Sequence, residues 1–503
     1  MNIYTEIERL LQYGRQKDLF EEVDQDYVRN GVFSVLGLND AESAAAPVEA
    51  LQSPVPILSN ILDWAYENGR LEENTVTRRD LLDTKIMGCL AGRPSDILYR
   101  FDVCEEENGI EAATSEFYAF SKDVHYIRTD RIAKNESWFT ETEYGSLEIT
   151  INLSKPEKDP REIAAAKKVK QASYPKCLLC RENVGFEGRI NHPARQNLRT
   201  IPINLGDERW HLQFSPYVYY NEHAIVFKDA HEPMKIHAKT FKRLLAFTER
   251  FPHYFIGSNA DLPIVGGSIL SHDHFQGGSH TFPMAEAEVE TGISLDRFPG
   301  VQAGIVKWPM SVLRISGKDA GELTEAADDI LHQWKAYSDE SVGIHAFTGD
   351  TPHNTITPIA RKRDGLFELD LVLRNNRTDE EHPEGIFHPH REVHHIKKEN
   401  IGLIEVMGLA VLPGRLKTEL AELAEAMTSQ DPQTEIRSSE VIRKHEAWAM
   451  VILEKYPEID RESAPSVLKE EVGRVFAEIL SHAGVFKRDE AGRRAFRAFT
   501  DTL

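Results

Sequence analysis

Apolar positions in the first part of the chain recur at helical spacing. Ile7, Leu10 and Leu11 form one such set, and Leu58, Ile61, Leu62 and Ala65 another. The run from Arg78 through Leu81, Leu82 and Asp83 opens a further helix, so residues 1–115 read as a helical region without visible chemistry. From about Phe120 the period shortens to two. Residues 146–153 alternate polar and apolar side chains, as a strand with one buried face does. A turn over 155–160 ends this strand, and a basic helix is predicted over 161–171. Residues 210–214 and 223–227 read as strands. Residues 238–251 read as a helix with Phe241, Leu244, Leu245 and Thr248 on one face. The second half repeats the style, with strand signals over 304–315 and 367–373, a helix over 322–337 and a charged helical section from Leu416 to Leu503. No regular βαβ alternation is visible. The pattern predicts an α+β fold of two mixed units framed by helices, divided near residues 115 and 300.

Composition narrows the class. The 503 residues hold 59 Lys+Arg against 81 Asp+Glu, for a formal charge of −22. That balance disfavours a nucleic-acid backbone or an anionic membrane as partner, while a local basic pocket would still suit a small phosphate ester. Four cysteines make no disulfide framework and point to a reducing compartment. Cys89 and Cys104 are isolated and read as small core hydrophobes. The longest apolar run, 401–412, is too short to span a bilayer and carries Glu405. No basic-then-apolar leader opens the sequence, so the expectation is a cytoplasmic protein.

The most unusual segment is 258–284. Its centre reads Gly266-Gly267-Ser268-Ile269-Leu270-Ser271-His272-Asp273-His274-Phe275-Gln276-Gly277-Gly278. On a strand, His272, His274 and Gln276 would share one face. The paired glycines allow close backbone approach and offer N–H groups to phosphate oxygens. A neutral imidazole can attack phosphorus without first losing a proton. Gln can donate to a phosphoryl oxygen but is neither acid nor base at neutral pH. The face thus reads as nucleophile, neighbour and amide donor. A metal site or a pair of satisfied core histidines is the competing reading.

Residues 261–278 resemble the active-site signature of class II galactose-1-phosphate uridylyltransferases, members of the histidine-triad superfamily. The stretches 174–180, 191–197 and 396–410 resemble it as well, and the likeness runs from end to end. The resemblance implies two histidine-triad-like units with antiparallel sheets, over 116–300 and 301–503, between the N-terminal helices and further C-terminal ones. It implies a ping-pong exchange in which UDP-glucose gives its uridylyl group to a histidine, glucose 1-phosphate leaves, and galactose 1-phosphate takes the group to form UDP-galactose. His274 is then the nucleophile and Gln276 steadies the phosphoryl oxygens. Hydrolases of the superfamily have a third histidine where this chain has Gln276, so the residue type favours transfer over reaction with water. The class I enzymes carry His-Pro-His where this chain has His272-Asp273-His274. Their Asn and Ser near the uridylyl phosphate would correspond to Asn259 and Ser268, with spacings that differ. A homodimer and no organic cofactor are also implied. The alternatives are a dinucleoside-polyphosphate phosphorylase of the same superfamily and a sugar-nucleotide-binding protein without catalysis.

Cys177-x-x-Cys180 has metal-ligand spacing but lacks a second such pair. Two reduced cysteines are the plain alternative. By the class I pattern, His231 and His272 would complete a structural zinc site, with His223 as a rival third ligand. His388-Pro389-His390 mimics the class I triplet in letters but lacks the following x-Gln and the glycines, so it reads as a decoy. His382, His388, His390, His394 and His395 match no metal signature by spacing, and a metal and a sugar phosphate both stay open as ligands for them. Lys397, Lys398, Lys155 and Lys158 are candidate phosphate contacts, or merely solvated lysines.

Overall fold

The computed structural model describes residues 2–40, 44, 46–154, 172–267 and 269–503. Ser268, Lys155, Lys158 and the turn and basic helix expected over 155–171 lie outside the described residues. Two compact units are interleaved along the chain. The first joins Met1–Lys134, Ser154–Glu232 and His272–His274; the second joins Asn135–Leu153, Pro233–Ser271 and Phe275–Leu503.

The first unit opens with helices over Ile3–Gln16, Gln25–Leu36, Val55–Glu67, Val76–Leu90, Pro94–Asn108 and Ile110–Asp123. Local sequence sets their ends. The Asn2 side chain accepts from the Tyr4 amide at 2.8 Å, and Thr75 caps the Arg78 amide. Gly37, at φ +64°, closes the second helix in the left-handed region. Ile7, Leu10, Leu11, Leu58, Ile61, Leu62 and Ala65 are all buried, so the predicted helical stripes form this unit's core.

The chain then gives a hairpin to the second unit. Strands β1 (Glu136–Thr142) and β2 (Gly145–Asn152) pair antiparallel from Glu136↔Ile151 to Thr142↔Gly145. It returns to the first unit as an antiparallel meander of β3 (Ile201–Leu205), β4 (Glu208–Phe214) and β5 (Ala224–Lys228), in which Ile203 faces Trp210 and Leu212 faces Val226. Next come β6 (Phe255–Gly257) and β7 (His274–Gly278). β7 starts on the last residue of the first unit and continues into the second. The remaining strands are β8 (Val289–Ile293), β9 (Gln302–Val306), β10 (Val312–Gly317), the two-residue pair β11 (Phe347–Thr348) and β12 (Thr351–Pro352), the long β13 (Asn354–Arg363) and β14 (Leu366–Asn375), and β15 (Leu409–Pro413).

Within the second unit the described strands follow the order β7-β6-β13-β14-β10-β9-β8, every neighbour antiparallel. β15 joins β2 in parallel, completing a three-stranded sheet with β1. Helices Ala238–Arg250 and Ala320–Ala336 pack on β13 and on each other. Buried Phe241, Leu244, Ile330 and Trp334 fill that layer. The chain adopts the expected α+β architecture, its sheets antiparallel apart from the β2–β15 pair among the described strands.

One correction concerns the histidine segment. Strand geometry begins at His274, so His272 lies in a bend before β7. The period-two pattern holds from His274 onward and not at His272. Backbone bonds from Asp273 N to Glu232 O (2.7 Å) and from Lys228 N to Asp273 O (3.0 Å) hold this stretch instead.

A buried charge group ties β10, β13 and β14 together. Arg314 faces Asp370 across one ladder, and Arg361 faces Glu368 across the other. Asp370 is fully buried and accepts from Arg314 Nε at 2.7 Å and Arg361 Nη2 at 2.5 Å. Burial alone pushes this carboxyl up, but Arg361 and Arg314 outweigh it and hold the group below the usual carboxylate range. The native state therefore binds its proton more weakly than the unfolded chain. The stabilisation is present at neutral pH and is lost as the pH falls through the folded-state value. Asp370→Ala is expected to cost about 3–5 kcal/mol in urea unfolding, because it removes the carboxylate that buried Arg314 and Arg361 share and leaves Glu368 as the one acid between two guanidinium groups. Asp370→Asn is expected to flatten the acid limb of the stability curve, and a variant with unchanged acid limb would contradict this account.

Candidate active site and metal centre

Four side chains of the first unit converge: Cys177, Cys180, His231 and His272. Cys177 Sγ lies 3.5 Å from Cys180 Sγ and 3.2 Å from His272 Nδ1, and Cys180 Sγ lies 3.1 Å from His231 Nδ1. A tetrahedral zinc bound at ordinary Zn–S and Zn–N lengths separates its donor atoms by roughly 3.3–3.8 Å, so this donor set fits such an ion closely. The orientation of His272 fits as well. Its Nε2–H donates to the Lys228 carbonyl at 2.7 Å, which turns the Nδ1 lone pair toward the cysteines. Burial lowers the pKa of His272 and pushes the Cys180 thiol up to about 11, so a nearby cation would be needed to keep that sulfur ionised. His231, not His223, joins the cysteines; His223 Nδ1 donates to the Tyr217 carbonyl at 3.0 Å.

The cysteines sit on a knuckle that sequence reasoning only half saw. The backbone amide of Leu179 points at Cys177 Sγ (3.4 Å), and a one-turn helix, Arg181–Asn183, follows at once. Asn183 sends its side-chain amide to the carbonyls of both Cys177 and Cys180. The signal available in sequence was an amide three residues after the second cysteine.

His274 is buried, and its Nδ1–H donates to the carbonyl of His272 at 2.8 Å. That bond fixes the tautomer and leaves Nε2 as the unprotonated, electron-pair-bearing nitrogen. Burial pushes its pKa down to about 4, so the ring is neutral at physiological pH. On β7, Gln276 follows His274 on the same face, while Phe275 turns the other way and is buried. Gln276 is opposite Gly257 in the ladder with β6.

In the second unit the glycines have packing reasons of their own. A Cβ on Gly266 would come within 2.5 Å of the Ala260 and Leu262 carbonyl oxygens, and one on Gly267 within 2.7 Å of the Asn259 amide. A Cβ on Gly277 would sit 2.6 Å from the Phe255 carbonyl. Gly278 ends β7. Asn259 is buried, and its Oδ1 accepts from the Leu403 amide at 2.9 Å. The loop between Asn259 and Gly267 is anchored by Asp261, which accepts from Ile236 N (2.9 Å) and Thr355 Oγ1 (2.5 Å). Ile264 holds φ at +73°, a strained conformation for a β-branched residue.

Several of the other candidates have partners within the fold. His388 is buried against Asn400 Oδ1, and His390 Nε2–H donates to the Ile386 carbonyl. His394 bonds the Pro389 carbonyl and His395 bonds His445. His390, Glu392 and His482 place one ligand atom each within 4.8 Å of one another. Lys397 is buried, with Nζ on the Val411 carbonyl and Glu405, each at 3.1 Å, so it does not present its charge to solvent; Lys398 is exposed. Cys104 is buried and Cys89 half-buried, and neither belongs to a ligand cluster among the described residues. No described helix is long and apolar enough to cross a membrane.

Comparison with known proteins places this site in context. The family model for the galactose-1-phosphate uridyl transferase N-terminal domain matches residues 18–233, and that for the C-terminal domain matches residues 247–450. A galactose-1-phosphate uridylyltransferase of Halalkalibacterium halodurans is 64% identical over 502 residues, covering 100% of this chain and 99% of that one. The enzyme of the same name from Bacillus subtilis is 59% identical over 504 residues, covering 100% and 98%. That of Caldanaerobacter subterraneus is 54% identical over 504 residues, covering 99% and 97%. With both domain models matched in sequence and relatives aligned from end to end, the chain belongs to the galactose-1-phosphate uridylyltransferase family.

Proposed function

We propose that this protein exchanges a uridylyl group between hexose 1-phosphates, using UDP-glucose and galactose 1-phosphate, through a covalent intermediate on His274. The observation that carries the assignment is the 2.8 Å bond from His274 Nδ1–H to the His272 carbonyl. It presents Nε2 with its lone pair already free of a proton, the form an attacking imidazole needs. Nε2 forms a bond to the α-phosphorus of UDP-glucose. The bond from that phosphorus to the bridging oxygen breaks, and its electron pair leaves on glucose 1-phosphate, which needs no proton at neutral pH. The ring becomes a cation bonded to phosphorus. The His272 carbonyl then opposes a positive rather than a neutral N–H, a stronger hydrogen bond in the intermediate than in the free enzyme. Galactose 1-phosphate reverses the step with its own phosphate oxygen and regenerates neutral His274.

Gln276 offers amide donors to the phosphoryl oxygens on the same face of β7. It supplies no general base, so water receives no help in attacking the intermediate. Gly266, Gly267, Ser268, Gly277, Gly278 and Asn259 are assigned to phosphate and substrate contact. The cluster of Cys177, Cys180, His231 and His272 is assigned a structural zinc. Its chemistry is to tie the 177–180 knuckle, His231 and His272 together, and it takes no part in the transfer. His272 is common to both assignments, because its ring faces the cysteines while its carbonyl orients His274. The same reading makes the active form a cytoplasmic homodimer.

After incubation with UDP-glucose alone, mass spectrometry is expected to find one uridylyl group on His274; a protein left unmodified under turnover conditions refutes the covalent route. His274→Gly is expected to lower transfer by at least about 10³-fold while leaving UDP-sugar binding measurable, since the covalent step and its preorganisation are both lost. Gln276→His is expected to raise the ratio of hydrolysis to transfer, and an unchanged ratio would sink the account of that residue. Stripping metal with a chelator is expected to lower the melting temperature, with zinc restoring it; indifference of the melting curve to both would remove the metal assignment.

A further inference from the structure

We propose that Asn183 and His192 form a positioning clamp that sets the affinity of the Cys177–Cys180 knuckle for its metal. The inference rests on the zinc reading above and assigns two residues outside the ligand set. Asn183 is 1% exposed, and its side-chain amide, its backbone N–H and its carbonyl all have hydrogen-bond partners. Its Nδ2 donates to the Cys177 carbonyl at 2.9 Å and to the Cys180 carbonyl at 2.7 Å, and its backbone N–H donates to the Cys180 carbonyl at 2.9 Å. Its Oδ1 accepts from His192 Nε2–H at 2.7 Å. Two donors and one acceptor on a short stem are what this location demands, and a side-chain amide has them. The bonds fix the direction in which both ligand residues leave the chain. They also hold the turn whose Leu179 amide points at Cys177 Sγ.

The acceptor side of the clamp is itself rigid. His192 lies in a tight loop closed by two backbone bonds, Arg189 N to His192 O (2.7 Å) and His192 N to Arg189 O (2.9 Å). Phe186 meets the imidazole edge-on at 5.2 Å between centroids. Gly185 and Phe186 exchange backbone bonds with Arg195, and Gly188 turns the loop at φ +82°, where a Cβ would lie 2.5 Å from Ala194 N. Burial, with Arg189 and Arg195 nearby, pushes the His192 pKa down to about 4, so the ring stays neutral and donates through one nitrogen. Asn183 therefore cannot rotate its amide without losing a buried partner at each end. Outer hydrogen bonds of this kind typically change metal affinity about 10–100-fold when removed.

The test measures zinc affinity by competition with a chromogenic chelator, and the thiolate-to-metal and ligand-field bands of the cobalt(II)-substituted full-length protein. Wild type is expected to bind one cobalt per chain with two-thiolate charge-transfer bands. Asn183→Ala and the isosteric Asn183→Asp, which faces two carbonyl oxygens with a carboxylate, are expected to weaken zinc about 10–100-fold and shift the cobalt bands. His192→Ala is expected to weaken binding through Asn183, His192→Gln to restore it through a replacement N–H, and the double variant Asn183→Ala/His192→Ala to bind no worse than Asn183→Ala. Wild-type affinity and spectrum in both Asn183 variants overturn the clamp. If those variants do not fold by circular dichroism, equal affinity of His192→Ala and wild type overturns it instead. A wild-type protein that binds neither metal through thiolates overturns the zinc reading beneath it.

Discussion

One residue carries three constraints, and the neighbourhood of the site depends on it. His272 donates through Nε2 to the Lys228 carbonyl, turns Nδ1 to the cysteines and offers its own carbonyl to His274 Nδ1–H. Each bond fixes a different degree of freedom. The first sets the ring and its tautomer, the second ties it to the knuckle, and the third sets the tautomer of the next histidine. An imidazole can donate at one nitrogen and keep a lone pair at the other, which is what these two contacts of the ring ask of it.

In the proposed transfer, that arrangement makes His272 relevant to chemistry in which its own ring takes no part. A carbonyl aimed at His274 is useful only if its peptide is immobile, because a transition-state hydrogen bond loses its value if the acceptor must reorganise. Immobility here comes from both sides. Backbone bonds with Lys228 and Glu232 hold Asp273, and the ring of His272 lies against Cys177 and His231. The knuckle in turn leans on Asn183, a residue whose contribution is hydrogen bonding and not ligation.

In the second unit the same economy appears in the loop between Asn259 and Gly267. Asp261 pins its start to Ile236 and Thr355, and the two glycines lie against carbonyls and the Asn259 amide. Glycine is thus required there by backbone packing whether or not a phosphate approaches it. The strained φ of Ile264 persists because the surrounding bonds over-determine the turn.

The sequence by itself determined the helical stripes of residues 7–65, the alternation of 146–153, the α+β class, and the family to which an H-x-H-x-Q segment beside paired glycines points. These are local: period and residue type follow from a few neighbouring positions. Tertiary structure alone decided which histidine meets Cys180, because residues 223 and 231 are separated by the run of β5 and only its path turns His231 inward. It decided that β7 begins at His274, since the bend at His272 is held by partners more than forty residues upstream. It also decided that Lys397 is spent inside the fold on Glu405 and a carbonyl. In each case the deciding force is a bond between distant parts of the chain, and spacing along the sequence carries no information about such a bond.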